Sequence, residues 1–166
     1  VLHFYLFLYI IKVYKQNRLQ NMQALPKGDN FMLISSKGRY TLYVLVDLAK
    51  NGQNRYIPLK EIAERQNISK KYMEGILKTL VDRNLLEGVK GKGGGYKLTK
   101  EPKDYSLGEI LRLTEGDLAS VPCTSKTHEH CNHMESCPSH PIWQQLDKLI
   151  NNYLDSVTLA NLLNNE

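Results

Sequence analysis

The sequence is poor in cysteine and lacks the marks of a secreted, membrane-spanning or enzymatic protein. Its 166 residues include three cysteines, and an odd, bunched set argues against a secreted disulfide framework. The apolar run at positions 1–14 is too short to span a bilayer comfortably, and no cleavage site follows it. The chain has no H-E-x-x-H motif and no nucleotide-binding glycine motif in register. We therefore expect a cytoplasmic protein that is not an enzyme.

Regular patterning begins near Met32, in the run "MLISSKGRY". We expect the native product to begin at this methionine, so that residues 1–31 are a leader outside the native fold. The alternative is that residues 1–31 anchor the protein to a membrane surface. For the product from Met32 to Glu166, we expect no membrane association.

The net charge of +5 is distributed unevenly along the chain. Residues 34–103 include 15 Lys and Arg against 7 Asp and Glu, whereas residues 104–166 include 3 against 9. The basic half favours a polyanionic partner such as double-stranded DNA, and the acidic half is expected to have a different role. The alternative is an uneven surface that is simply solvated.

The basic half has the pattern of three helices followed by a hairpin. Apolar residues at helical spacing predict a helix from Ser35 or Ser36 to about Lys50, a second in "IPLKEIAERQN" and a third from Lys70 to about Asn84. The extended runs "LLEGVK" and "GYKLTK", joined by "GKGG", predict a β-hairpin with a flexible, basic tip. We expect a mainly α fold with a small β-hairpin wing, which is a winged helix-turn-helix over residues 32–104.

The third helix is the candidate for entering the major groove, which admits one helix. Met73, Ile76, Leu77 and Leu80 form its core stripe, and Gly75 suggests close packing. Lysines and a helix N-terminus suit phosphates, and lysines on the hairpin tip can approach the minor groove or the backbone. The predicted DNA-binding residues are Ser69, Lys70, Lys71, Tyr72, Glu74, Lys78, Lys90, Lys92, Lys37 and Arg39.

Glu74 is the candidate for base specificity. A carboxylate that faces DNA can accept a hydrogen bond from the N4 amino group of a cytosine. The alternative is that Glu74 forms an ion pair within its own helix, with Lys70 or Lys78.

The acidic half, residues 105–166, begins with a predicted helix and ends with another. Ser106 and Glu109 have the spacing of a capping box, and Gly116 ends that helix. A polar, proline-containing loop follows, and a long helix is predicted from about Ile142 to Val157, with Thr158 capping a last short turn. The long helix has an apolar stripe, which predicts dimerisation through its copy in a second subunit. The alternative is that the stripe packs on its own winged domain.

The loop between these helices has the composition of a metal site. Cys123, Cys131, Cys137 and His140 follow the spacing C-x7-C-x5-C-x2-H, without the paired knuckles of structural zinc sites. Three thiolates favour a soft metal or an iron–sulfur cluster and leave the fourth ligand open. His140 is the nearest candidate after the last cysteine. Its competitors are His128, His130 and His133.

From Met32 to Glu166 the chain resembles the IscR/NsrR-type family of bacterial winged-helix iron–sulfur transcription factors. Within that family it is most similar to the regulators of iron–sulfur cluster assembly. The similarity includes "SSKGRYTLYVLVDLA", the run from Pro58 to Lys100, the three cysteines and the run from His140 to Glu166.

The resemblance implies a homodimeric repressor or activator that binds a palindromic operator and a [2Fe–2S] cluster. In the regulators of cluster assembly, a histidine three residues after the last cysteine is the fourth ligand, and His140 matches it. The sequence-reading residues of the family fall on Ser69, Lys71, Glu74 and Lys90. Lys71 replaces a serine and Lys90 an arginine, so we expect a different operator preference. The first gap between cysteines is seven residues, where the family commonly has five.

The implied function is the sensing of iron–sulfur cluster status, redox state or nitric oxide. In this hypothesis the cluster orders its loop and shifts the recognition helices or uncovers Glu74, so that the two states prefer different operators. The alternative is a cluster-free winged-helix repressor controlled by a partner protein or by thiol chemistry, as in the cysteine-metabolism repressors.

Overall fold

The computed structural model describes residues 34–52, 55–127 and 131–164. The predicted leader and the Met32 start lie outside these ranges, as do His128 and His130. None of the helices in the described ranges is long and apolar enough to cross a membrane. The described elements are α1 (Ser36–Asn51), α2 (Leu59–Gln66), α3 (Lys70–Asp82), β1 (Leu86–Val89), β2 (Gly95–Leu98), a 3₁₀ helix (Pro102–Asp104), α4 (Leu107–Glu115), a second 3₁₀ helix (Pro122–Thr124), α5 (His140–Ser156) and α6 (Leu159–Leu163).

The predicted fold class, mainly α with a small hairpin wing, is confirmed. Local signals define the ends of α1 to α3. Ser35 caps α1 by accepting a hydrogen bond from the Gly38 N–H, and α2 ends at Asn67, which adopts the left-handed conformation with a φ of 52°. Asparagine tolerates this conformation, so the chain turns within three residues and α3 begins under the Ser69 cap.

Helices α1 to α3 pack around one hydrophobic core. The predicted stripe of α3 is confirmed, because Met73, Ile76, Leu77 and Leu80 are all buried. The Cβ of an alanine at Gly75 would meet nothing within 4 Å, and this glycine is exposed, so the expected close packing at Gly75 is wrong within the chain. Residues from the acidic half, Tyr105, Ile110 and Leu159, belong to the same core.

The hairpin wing is paired to the helical unit through Ile57. Strands β1 and β2 are antiparallel, with Leu86 opposite Leu98, and the backbones of Ile57 and Tyr96 exchange two hydrogen bonds of 2.9 Å. A Cβ at Gly95 would collide with the Ile57 backbone, so this approach requires glycine. The wing therefore has a fixed base beside α2.

Tyr105 connects the wing to the second half of the chain. Its ring is fully buried, and its hydroxyl donates to the Leu85 carbonyl oxygen at 2.8 Å and accepts from the Thr99 and Lys100 N–H groups. The Tyr105 carbonyl oxygen also accepts from the Leu159 N–H at 2.9 Å. One residue thus fixes the end of the hairpin and the return of the C-terminus.

The acidic half differs from its predicted form in two details. At the start of α4, the Glu109 N–H donates to Ser106 as a capping box requires, but the Glu109 carboxylate pairs with Lys100 at 3.1 Å. Helix α5 begins at His140, two residues before the predicted Ile142, because the next residue is a proline that the first turn of a helix accommodates. The expected cap by Thr158 is confirmed, and Asn161 completes a capping box there.

Candidate functional site

The outward face of α3 carries polar and charged side chains. Ser69 caps the helix through the Tyr72 N–H at 3.3 Å, and the predicted DNA-binding residues of α3 are all exposed. They are Ser69, Lys70, Lys71, Tyr72, Glu74 and Lys78. The helix thus presents its N-terminal end and three lysines to solvent, which suits a phosphate-lined groove.

Tyr72 braces α3 against α1. Its ring meets the Tyr40 ring edge-on, with the centroids 5.8 Å apart, yet Tyr72 remains 42% exposed. An edge-to-face pair of this kind fixes the separation of two helices. The N-terminal half of α1, which carries Lys37 and Arg39, is therefore adjacent to the start of α3. Arg39 is exposed and donates to Ser36 at 3.2 Å, whereas Lys37 is half-buried.

Glu74 has no partner among the described residues. Within the described ranges, no ion pair or hydrogen bond joins its carboxylate to Lys70, Lys78 or any other side chain. The alternative of an intrahelical ion pair is therefore not formed, and an exposed carboxylate faces outward among lysines. A hydrogen-bond donor from outside the chain can occupy it.

The wing tip combines glycine and lysine. Gly91 and Gly93 adopt φ angles of 99° and 79°, a region that disfavours side chains. Lys90 and Lys92 flank Gly91 and are exposed. The tip therefore projects two cations from a turn that sits on the fixed base of the hairpin.

An ion pair between a partly exposed arginine and a buried aspartate, which no sequence pattern predicted, holds α2 against α1. The Arg65 guanidinium donates to both oxygens of Asp47, at 2.7 and 2.8 Å, and the Asp47 side chain is only 3% exposed. Asn51 donates a third hydrogen bond to the Asp47 carboxylate at 3.0 Å. Asp47 and Arg65 are 18 positions apart, so helical periodicity gave no signal for the pair.

The three cysteines lie in separate turns, and all are half-buried and unpaired by disulfides. Cys123 is in the second 3₁₀ helix, Cys131 begins a turn closed by the Met134 N–H, and Cys137 precedes α5. In the parts of the chain that the structure describes, no three His, Cys, Asp or Glu side chains converge closely enough to hold a metal ion. His133 is exposed in the middle of the loop.

His140 differs from an ordinary surface histidine. It is 9% exposed at the first position of α5, and its Nδ1 is a buried atom without a hydrogen-bond partner among the described residues. Its backbone N–H donates to the Cys137 carbonyl oxygen at 3.3 Å, which places the two residues in one turn. His140 also lines the same cavity of about 780 Å³ as Cys123.

The electrostatics near the helix start favour a thiolate. The Ser139 hydroxyl, 3.3 Å from Cys137 Sγ, lowers the pKa of this thiol, and the backbone N–H groups of Ser139 and His140 lower it further. The donor set of Cys123, Cys131, Cys137 and the unpartnered His140 therefore fits a sulfur-coordinated metal group chemically.

Helix α5 has two contrasting faces. Ile142, Leu146, Leu149 and Tyr153 form an outer stripe at helical spacing and are 61%, 37%, 61% and 66% exposed. Arg112 of α4 grips the inner face, with bidentate hydrogen bonds of 2.8 and 2.9 Å to Asp155. The alternative in which the outer stripe packs on its own winged domain is therefore wrong for these four side chains.

The sequence and the geometry resemble those of known regulators. The profile of the Rrf2 family, described as an iron-dependent transcriptional regulator, matches residues 34–165. The chain is 34% identical over 135 residues to the HTH-type transcriptional regulator IscR of Serratia proteamaculans. The aligned residues are 81% of each chain. It is 37% identical over 132 residues to an HTH-type transcriptional regulator of Neisseria meningitidis serogroup B, which covers 80% of this chain and 88% of that one.

Two solved structures have a similar fold. CymR, the global cysteine regulator of B. subtilis, superposes with a TM-score of 0.67 at 30% identity, over 81% of this chain and 98% of that chain. IscR of T. potens superposes with a TM-score of 0.61 at 33% identity, over 80% of this chain and 86% of that chain. The family match over residues 34–165 includes both the winged helix-turn-helix and the loop that carries the cysteines.

Proposed function

Because the chain belongs to the Rrf2 family of transcriptional regulators, which are not enzymes, we propose that it is a cytoplasmic, DNA-binding regulator that senses cluster status through a [2Fe–2S] group. Residues 32–104 read an operator, and residues 105–166 hold the cluster and pair with a second subunit. Cys123, Cys131, Cys137 and His140 are the ligands.

The observation that carries this proposal is the state of His140. A buried imidazole nitrogen without a partner is costly, by about 1–3 kcal/mol, unless something else binds it. This nitrogen belongs to a side chain that lines a cavity with Cys123 and starts the helix one turn after Cys137. A metal ligand explains both the burial and the missing partner.

When bound, the cluster supplies a redox-active, oxygen-sensitive group whose loss can be coupled to conformation. The chain supplies three thiolates and one imidazole, and an imidazole binds metal only in its neutral form. Retention of the cluster therefore requires the His140 imidazole in this neutral form.

DNA binding follows from the outward face of α3 and the wing. Lys70, Lys71 and Lys78 neutralise phosphates, and the wing-tip lysines reach the backbone or the minor groove. Glu74 supplies the base-specific contact, since its carboxylate has no partner within the described ranges.

The outer stripe of α5 supports a two-fold dimer. Four exposed apolar side chains on one helix face are unusual for a monomer and suit a copy of the same face. Such a dimer places two recognition helices about 34 Å apart for the half-sites of a palindromic operator. Leu149→Asp is expected to yield monomers that bind half-sites weakly, as measured by light scattering and operator titration. An exposed aspartate outside α5, introduced as Asn164→Asp, is the matched control.

A chain of contacts joins the cysteine region, which is the stretch between α4 and α5, to α3. Glu115, the last residue of α4, accepts from the Ser35 hydroxyl at 2.9 Å, and Ser35 caps α1. Helix α1 in turn contacts α3 through Tyr40 and Tyr72. Cys123 lies only eight residues after Glu115, so a change in the loop has a short covalent and packed path to the recognition helix.

The decisive experiment is anaerobic purification followed by absorbance spectroscopy and assays of iron and acid-labile sulfide. We expect a coloured protein with equal iron and sulfide that loses colour in air. His140→Ala is expected to lose the cluster readily, whereas His133→Ala, at an exposed histidine of the same loop, keeps it. Iron-free protein, or zinc at one per chain, would contradict the proposal.

Operator binding tests the sensing step separately. We expect the cluster-loaded and cluster-free proteins to differ in their preference among palindromic operators, measured without oxygen at one fixed salt concentration. Equal affinities in both states at every operator would remove the sensing function but leave DNA binding intact.

A second candidate function is a cluster-free repressor controlled by a partner protein or by thiol chemistry. Two observations favour it: no metal-binding group of three side chains is formed within the described residues, and the fold resembles that of CymR. In this case all three cysteines can be replaced by serine without change in cofactor content. In the wild-type protein, operator binding would respond to thiol oxidation or to an added partner.

A further inference from the structure

The segment that carries Cys123 is attached to the rest of the protein by two carboxylates. On its N-terminal side, the Ser120 N–H donates to Asp147 Oδ1 of α5 at 2.8 Å. On its C-terminal side, the Ser125 hydroxyl and the Lys126 N–H donate to Asp117 at 2.7 and 2.8 Å. Cys123 lies between these two attachments.

Asp117 organises the segment internally. Partial burial opposes ionisation of its carboxyl group, but the hydrogen bonds from Ser125 and from backbone N–H groups outweigh burial and lower its pKa. Asp117 follows α4 directly after Gly116, so this bond fixes the shape of the segment but does not place it relative to α5.

Asp147 is the residue that places the segment. It lies two turns after His140 on the same helix, and it lines the cavity that Cys123 and His140 share. Its second oxygen, Oδ2, is buried and has no hydrogen-bond partner among the described residues. A buried carboxylate oxygen without a hydrogen-bond partner destabilises the fold. Fold stability alone therefore does not explain an aspartate at this position.

We infer that Asp147 is a positioning residue that sets Cys123 relative to Cys137 and His140 before the cofactor binds. Helix α5 begins with His140, directly after the turn that contains Cys137, and it also carries Asp147, which binds the Cys123 segment. The positions of three of the four proposed ligands are therefore set by this one helix. The inference rests on the proposed function, because it gives Asp147 a role in holding the cluster.

Cys131 is the exception. The hydrogen bonds of the described residues 131–137 close only local turns, such as Met134 N–H to Cys131 and Ser136 N–H to His133. We therefore expect the Cys131 turn to adapt last, around a site that the other three ligands already outline.

Amide hydrogen exchange in the cluster-free protein tests the placement directly. In Asp147→Ala the Ser120 N–H loses a charged acceptor, so we expect its exchange to accelerate about 10- to 100-fold. Asp155→Ala is the matched control, because this aspartate lies on the same face of α5 but pairs with Arg112. It should leave the Ser120 amide unchanged, and amides of α3 report any global loss of stability.

The rate of cluster loss to a competing iron chelator, measured without oxygen, tests the link to the cofactor. We expect about 10- to 100-fold faster loss in Asp147→Ala, the range typical for residues that orient metal ligands. Asp147→Asn keeps an oxygen that can accept from Ser120 and should restore both exchange and cluster lifetime.

Unchanged Ser120 exchange in Asp147→Ala overturns the inference. Accelerated exchange with an unchanged cluster lifetime also overturns it, while the proposed function stands. If the wild-type protein assembles no cluster, the proposed function fails, and the Ser120 exchange rates alone decide whether Asp147 places the Cys123 segment.

Discussion

The winged unit and the cysteine region are held together in different ways. In the winged unit, residues 32–104, contacts join distant positions. Arg65 pairs with the buried Asp47, and the hydroxyl of Tyr105, the first residue of the acidic half, donates to the Leu85 carbonyl oxygen across 20 positions. In the described residues 131–137, by contrast, the hydrogen bonds join positions only two or three apart. The part of the cysteine region around Cys123 is intermediate, since two aspartates tie it down.

Under the proposed function, this difference separates two tasks, which are reading DNA and sensing a cluster. A DNA-binding domain must present the same surface to DNA each time. Its geometry is therefore fixed by a hydrophobic core and by pairs of polar side chains. A sensor must change with its ligand, so part of its order has to come from the ligand itself.

The largest effect is expected at Arg65. Arg65→Met removes one partner of the pair and leaves the Asp47 carboxylate buried, at 3% exposure, without its cation. We expect the free energy of unfolding to fall by about 3 kcal/mol, measured by urea denaturation, together with a loss of operator affinity.

Arg55→Met is the matched control, because Arg55 also forms a bidentate pair, with Glu61, but its side chain is 55% exposed. Its loss should reduce stability far less than the loss of Arg65, because solvent screens an exposed ion pair. Cys131→Ser in the cluster-free protein should likewise change stability by less than about 0.5 kcal/mol. Equal costs for Arg65→Met and Cys131→Ser would erase the distinction between the two regions.

A smaller effect is expected at Glu74, and on binding alone. Glu74→Ala should shift discrimination at one base pair of the operator by about 1–3 kcal/mol, because we propose that the carboxylate selects a cytosine amino group. Stability should stay within about 0.5 kcal/mol of the wild type, since no described residue pairs with Glu74. Binding to operators substituted one base pair at a time provides the measurement.

Glu64→Ala provides the control for Glu74. Glu64 is an exposed carboxylate on α2 that pairs with Lys60 at 3.8 Å. Its loss should leave the order of preferred operators as it was. A uniform gain in affinity for all sequences at Glu74→Ala would mean that the carboxylate only repels phosphates, and base selection would then belong to other residues.

The sequence predicted those features that depend on local patterns. The core stripe of α3, the Ser69 cap and the Thr158 cap all follow from residues within one or two turns of each other. The wing follows from two extended runs and a glycine-rich turn, and its position beside α3 in the chain made the fold recognisable.

Contacts between distant positions left no such pattern. The pairing of Ile57 with Tyr96 involves a single bridge, which is too short to show strand periodicity. The bond between Asp147 and Ser120 joins positions 27 apart, and either residue alone resembles an ordinary polar surface position. The Glu109 carboxylate does not complete the predicted capping box, because it forms an ion pair with Lys100.

The smallest effect is expected at Gly75, where fold and function favour different residues. Gly75 lies in the interior of α3, at the middle of its outward face, and an added methyl group would meet nothing within 4 Å. Gly75→Ala should therefore raise the free energy of unfolding by about 0.5–1 kcal/mol. It should also weaken operator binding, because the methyl group holds the helix away from the base edges. A more stable variant with unchanged operator affinity would mean that DNA contacts another face of α3. The proposed rigid DNA-binding surface would then have to be assigned to other residues.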